Sequence, residues 1–294
     1  MNTHWLSAHL FYNGNLNLLL QQLVSPFLQE AQPLLRPDMP YFFIRYNEGG
    51  PHIRLRLQVS PHREYAVKDM LAQYVRTFTV PDPDIAAPVL SYIDYIPETD
   101  RYGDARTLPL AEEIFYLSSA VIRQWIDEKQ TWDYHLAFSS ALQLHTCFFY
   151  ALQGGYGTFQ RICEGFIAGW LPRLYDPARP EAVQQMELTA QMESRYEQYK
   201  AVLQPAILAS WEALQQKQAD VLLQTFTMRL TCIFQRYRKL ITQPAQLEQI
   251  ARSLLHMTHN RLGIANMDEA YIMYLTLKSM APVYDDSGLS PSTN

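Results

Sequence analysis

His52-Ile53-Arg54-Leu55-Arg56-Leu57 is the most unusual stretch of this 294-residue chain. Residues two apart share one face of an extended strand. His52, Arg54 and Arg56 therefore point one way, and Ile53, Leu55 and Leu57 point the other, into a core. Two guanidinium groups beside an imidazole make a cradle for carboxylates or phosphates, because guanidinium donors meet oxyanions in a bidentate fork. The alternation alone fits equally a sheet with one solvated face.

A second cluster is Pro97-Glu98-Thr99-Asp100-Arg101-Tyr102-Gly103. Glu98 and Arg101 stand three apart in a loop that follows a predicted strand, a common place for functional side chains. A local Glu–Arg pair steadying the turn is the alternative. The third is His256-Met257-Thr258-His259-Asn260-Arg261-Leu262. A helix there puts His256 and Asn260 on one face, and histidine is the usual acid–base group near neutral pH. His256 and His259 lack a third ligand nearby, so no metal is expected. His135, His145 and the N-terminal histidines read as packing or surface residues. Gly154-Gly155-Tyr156-Gly157 has neither the Lys-Ser/Thr of a P-loop nor GxGxxG spacing, and GxSxG, HExxH and CxxC are absent.

The elements that must position these residues divide the chain. Trp5–Tyr12 reads as a strand, and leucine-rich 15–32 as a helix closed by Pro33. Tyr41–Tyr46 and His52–Val59 flank Asn47-Glu48-Gly49-Gly50-Pro51, which is hairpin grammar. A helix over 63–77 and a strand over 89–96 follow. From there helices are expected at 111–128, 134–152, 159–171, 180–200, 205–216, 219–240, 246–261 and 268–280, with a polar tail from Asp285. The fold class is α+β: a strand-containing N-terminal part (1–107) packed with a largely helical part (108–284), read as one domain spanning 1–294.

Composition narrows the function classes. Hydrophobic residues make up 48% and charged residues 18%, so the chain can build a large core. Twenty-four basic against 29 acidic residues give −5, which argues against direct nucleic-acid binding. Three scattered cysteines supply no disulfide framework. Without a membrane-length apolar run or a secretory start, the expectation is a cytoplasmic protein with no membrane association.

Together the clusters resemble a known family. YFFIRYNEGGPHIRLRL is similar to the FIRY…HLRLRF hairpin of the C-terminal domain of class I lantibiotic dehydratases. YIPETDRYG with AEEIFYLSS resembles its Y-x-PE-x-x-RYGG stretch and the helix after it, and LLHMTHNRLG resembles its HM-x-x-NRL helix. The order and rough spacing match over nearly the whole chain. RYGG is RYGD here, with Asp104 at the second glycine position, and no glutamylation domain is present in this chain.

The resemblance implies a glutamate-elimination domain in stand-alone form, as in thiopeptide and some lanthipeptide pathways. It would remove glutamate from glutamylated Ser or Thr of a precursor peptide, leaving dehydroalanine or dehydrobutyrine. Matched by motif, the elimination residues are Arg54, Arg56, Arg101 and His256. Glu98 belongs to the same set as a substrate-binding residue, and His52 joins it from the shared strand face. No cofactor is implied. The implied partners are the precursor peptide and a separate tRNA-dependent glutamylating protein, with a homodimer as an open assembly state. The alternative in the same family is a thiopeptide pyridine synthase, which joins two dehydroalanines in a formal [4+2] cycloaddition and releases the leader peptide.

Overall fold

A computed structural model describes residues 3–286. The predicted strand over 5–12 forms as β1 (His4–Phe11), and the hairpin arms form with the expected bounds, β2 (Tyr41–Tyr46) and β3 (His52–Val59). With β4 (Val89–Tyr92) they make one antiparallel sheet in the order β2-β3-β1-β4. The register aligns Ser7 with Arg56, His9 with Arg54 and Phe11 with His52 across β1 and β3. Ile53, Leu55, Leu57 and Val59 are fully buried on the opposite face. Gly49 and Gly50 take φ of 75° and 112° in the hairpin turn, a region open to glycine at no steric cost.

Two short differences from the sequence reading have local causes. The helix over 15–32 is broken into α1 (Leu16–Leu19), a wide π turn (Leu20–Val24) and α2 (Ser25–Ala31). Asn15 caps α1 by accepting from the Asn17 backbone N–H at 2.8 Å. Pro26 has no N–H for the usual i−4 bond, and the wide turn accommodates its ring. The fourth strand stops at Tyr92 rather than 96: its ladder with β1 runs from Ala8 to Phe11, with one further bond from the Ile93 N–H to the Ser7 carbonyl at 3.2 Å. The predicted helix over 63–77 forms as α3 (Glu64–Thr77).

The remaining helices are α4 (Leu108–Glu128), α5 (Tyr134–Leu152), α6 (Tyr156–Trp170), α7 (Glu181–Gln215), α8 (Val221–Leu240), α9 (Pro244–Leu262) and α10 (Glu269–Asp286). The break expected at 200–205 is absent: α7 continues through Pro205. Tyr196, Ile207, Trp211 and Leu214 are buried on either side of the proline, and that packing outweighs one lost backbone bond. The polar tail predicted from Asp285 begins inside the last turn of α10, at Asp285 and Asp286, and from residue 287 it lies outside the described residues.

The chain divides into two compact units. One runs to Thr99 and takes in Ala111–Asp133; the other comprises Asp100–Leu110 and the chain from Tyr134 onward. In the first, α1 and α4 cover the apolar face of the sheet: Asn17 accepts from the Arg45 guanidinium at 2.8 Å, and Arg123 donates to the Tyr41 hydroxyl at 2.8 Å. The free edge of β2 is closed where the Phe43 N–H donates to the Ser119 hydroxyl at 3.1 Å. In the second, α5, α6, α7, α9 and α10 pack together around a core that includes Phe149, Phe159, Phe166, Ile272 and Met273. No helix among the described residues is long and apolar enough to cross a membrane.

Candidate active site

The cationic face of the sheet is built by register. His52, Arg54 and Arg56 lie beside Ser7 and His9 of β1. This is not a solvated face: Arg56 is 5% exposed, His9 is 3% exposed and His52 is fully buried. His52 donates from Nδ1 to the Gly50 carbonyl at 2.7 Å, which leaves Nε2 to accept from the Arg54 Nε–H at 3.1 Å. The Arg54 guanidinium stacks on Tyr46, 3.4 Å from the ring centroid. The hairpin turn and the second strand thus set the aim of Arg54.

Arg56 differs from Arg54. Its Nε and Nη1 are buried without a hydrogen-bond partner, and so are the Ser7 hydroxyl and both ring nitrogens of His9. Its flanking ring is Tyr95, 5.4 Å away. Burial, reinforced by Arg54, pulls the Arg56 guanidinium down to about 10. Burial, with Arg56, Arg54 and His52, pulls the His9 imidazole down to about 4, so His9 is neutral at pH 7. Buried donors without partners are costly. A cluster of them around a cation is arranged to receive an anion.

The loop residues sit apart from that face in character. Glu98 is exposed, just before a 3₁₀ turn (Thr99–Tyr102), and Arg101 is half-buried, 5.9 Å from the ring of buried Tyr102. Gly103 takes φ of 112°, whereas Asp104 keeps a negative φ. The Asp104 side chain accepts from the backbone N–H groups of Arg106 and Thr107 at 2.8 and 3.3 Å, tying down the approach to α4. Bonds from Arg106 hold its carboxyl at about 2. The departure from the family's second glycine is therefore accommodated without strain.

His256 stands on α9 in the second unit. Gly263, at φ 84°, ends that helix as its N–H and that of Ile264 bond back to the Asn260 and His259 carbonyls. The chain then returns through a short 3₁₀ turn to Glu269 at the start of α10. Glu269, fully buried, accepts from His256 Nδ1 at 2.9 Å and from His259 Nδ1 at 3.0 Å. Burial pushes the Glu269 carboxyl up, but the bonds from the two histidines outweigh it and hold the group below its ordinary value. Trp170 of α6 lies against the His256 ring at 4.8 Å. With Nδ1 committed to Glu269, Nε2 is left to accept a proton. His256 is 16% exposed. Among the described residues no group of three His, Cys, Asp or Glu is placed to hold a metal ion.

The profile of the family described as "Lantibiotic biosynthesis dehydratase C-term" matches residues 5–280. The chain belongs to that family. No curated protein matches this dehydratase C-terminal domain in sequence. Solved structures that share its fold include the following three. One is titled "Crystal structure of TsrL", with TM-score 0.66, 18% identity, 99% of this chain covered and 100% of that one. The pyridine synthase TbtD from thiomuracin biosynthesis has TM-score 0.68 at 15% identity, covering 96% of this chain and 99% of that one. The tRNA-dependent lantibiotic dehydratase MibB from Microbispora sp. 107891 has TM-score 0.67 at 16% identity, covering 96% of this chain but 28% of that one.

Ser7 of β1 and Glu269 of α10 were not singled out in the sequence of this dehydratase C-terminal domain, and His9 was read only as a packing or surface residue. His145, read as a packing residue, is fully buried yet hydrogen-bonded to His259 at 2.7 Å. For Ser7 and His9 the only available signal was that both fall on alternate positions of a predicted strand. Glu269 was signalled only by its place in the first turn of a predicted helix.

Proposed function

We propose that the protein is a carbon–oxygen lyase that removes glutamate from glutamylated Ser or Thr of a ribosomally made precursor peptide. A separate tRNA-dependent protein supplies the glutamyl ester. The observation that carries this reading is Arg56, a buried guanidinium whose Nε and Nη1 have no partner, on a face shared with Arg54 and neutral His9.

The chemistry follows from charge. Elimination breaks the Cα–H bond, forms Cα=Cβ and breaks Cβ–O, so the electron pair leaves on a carboxylate. That carboxylate needs charge stabilisation more than a proton, and preorganised donors away from water supply it. Arg54 and Arg56 take this role, with Arg101 as a third cation for the glutamyl group's own carboxylate and Glu98 for its α-ammonium. His52 holds Arg54 in place. His256 accepts the Cα proton at Nε2 while Glu269 holds Nδ1, which assigns it the part of base.

A second reading is a pyridine synthase, which would act on dehydroalanines and hold no glutamyl group. It is favoured by the extent of the match to TbtD, which covers 99% of that chain against 28% of MibB. One experiment separates the two. The precursor and a glutamylating protein are co-expressed with the wild type, with Arg56→Ala or with His256→Ala, and the peptide is weighed. A loss of ~10²–10³ in rate should leave glutamate adducts on Ser or Thr. Adducts left equally by the wild type would show that this chain does not eliminate, and cyclisation of an already dehydrated peptide by the wild type would replace elimination with the synthase reading.

A further inference from the structure

The hydrogen bonds behind His256 fix a proton count. Thr276 Oγ1 lies 2.9 Å from the Ile272 carbonyl and 2.6 Å from His145 Nδ1. A hydroxyl has one proton, and a carbonyl can only accept. The Thr276 proton therefore goes to Ile272, and its oxygen accepts from His145 Nδ1–H. Full burial, with His259 adjacent, holds the His145 imidazole well below its ordinary value, so that ring carries no second proton. Its Nε2 then bears a lone pair, 2.7 Å from His259 Nε2, which must donate. On its other side His259 Nδ1 lies 3.0 Å from Glu269, whose carboxyl is held below its ordinary value and so is ionised and accepts; His259 donates there too.

We propose that His259 is a buried imidazolium, paired with Glu269 and held by the His145–Thr276 chain, and that it positions and tunes His256. The groups facing it are His145 of α5, Glu269 and Thr276 of α10, and, from α6, the Phe166 ring at 5.5 Å. Glu269 thus has two hydrogen-bond partners, of which His259 carries the charge. It orients His256 through Nδ1, while His259 cancels the negative charge that would otherwise bind a proton on His256 too firmly. His256 then takes the Cα proton and gives it up again in each turnover. This last role rests on the lyase reading; the proton count does not.

The count is tested on the full chain without substrate, by ¹⁵N-histidine NMR at about pH 8.5, where ordinary histidines are neutral. The expected spectrum has one histidine of the eight carrying both ring protons, with His145 and His256 as Nδ1–H tautomers. Thr276→Val should remove the second proton from His259 and move the His145 proton to Nε2; Thr276→Ser should restore both. Eight singly protonated histidines, with His145 as the Nε2–H tautomer, overturn the proposal, and the wild-type spectrum decides even where a variant fails to fold. In turnover assays, His259→Gln should shift the rising limb of the pH profile upward by about 1–3 pH units, the reach of one uncompensated neighbouring charge. An unmoved limb would refute the tuning role. Failure of the adduct experiment alone would remove the lyase reading and leave the proton count standing.

Discussion

Arg56 combines burial with unused donors, a poor arrangement for stability and a good one for holding an anion. Replacing even a paired buried charge by apolar side chains of similar volume is often neutral or stabilising by about 1–4 kcal/mol, and an unmatched one has less to lose. Arg56→Met should therefore unfold in urea at the wild-type midpoint or above it while elimination falls ~10²–10³. A midpoint well below the wild type would mean that Arg56 serves the fold instead. Alternation along one strand was enough to place residues 52, 54 and 56 together in advance. It could not supply Ser7 and His9, because their pairing with Arg56 and Arg54 is a matter of register between strands more than forty residues apart.

The hairpin was legible to the residue, since two apolar arms and a Gly-Gly turn leave few alternatives. Pro205 misled for the opposite reason: a local rule about proline says nothing of the buried Tyr196 and Trp211 that hold the helix straight through it. The Arg101 loop shows how a motif glycine acts through an element. A Cβ on Gly103 would lie 2.4 Å from Thr107 Oγ1, and φ there is 112°. Thr107, fully buried, accepts from the Asp104 N–H through that same oxygen and stands just before the first residue of α4. Gly103→Ala should cost on the order of 1–3 kcal/mol, the usual scale of backbone strain of this kind. Urea unfolding of the variant checks this; an unchanged midpoint would show that the loop shifts freely and that its conformation does not fix Arg101.

At the scale of the molecule, a strand-bearing start and a helical remainder followed from where the periodicity changes from two to 3.6. Division into two units that interleave near residues 99–111 did not, because contact density is not written in periodicity. Charge, by contrast, is fully readable, and it bears on tRNA. The chain carries −5 overall. Several arginines are engaged with carboxylates: Arg106 with Asp104, Arg123 with Asp127, Arg161 with Glu248 and Arg179 with Glu187. Arg56 and Arg261 are buried. Phosphate tracking needs exposed cations that release counterions on binding, and non-specific binding of that kind has a Kd of about 10⁻⁴–10⁻⁶ M at physiological salt. The isolated protein should therefore retain no glutamyl-tRNA on a filter at roughly 10 μM, the middle of that range. The aminoacyl-tRNA would then be handled wholly by the glutamylating partner. Retention that weakens steeply as salt rises would instead assign this chain a direct share in holding the tRNA.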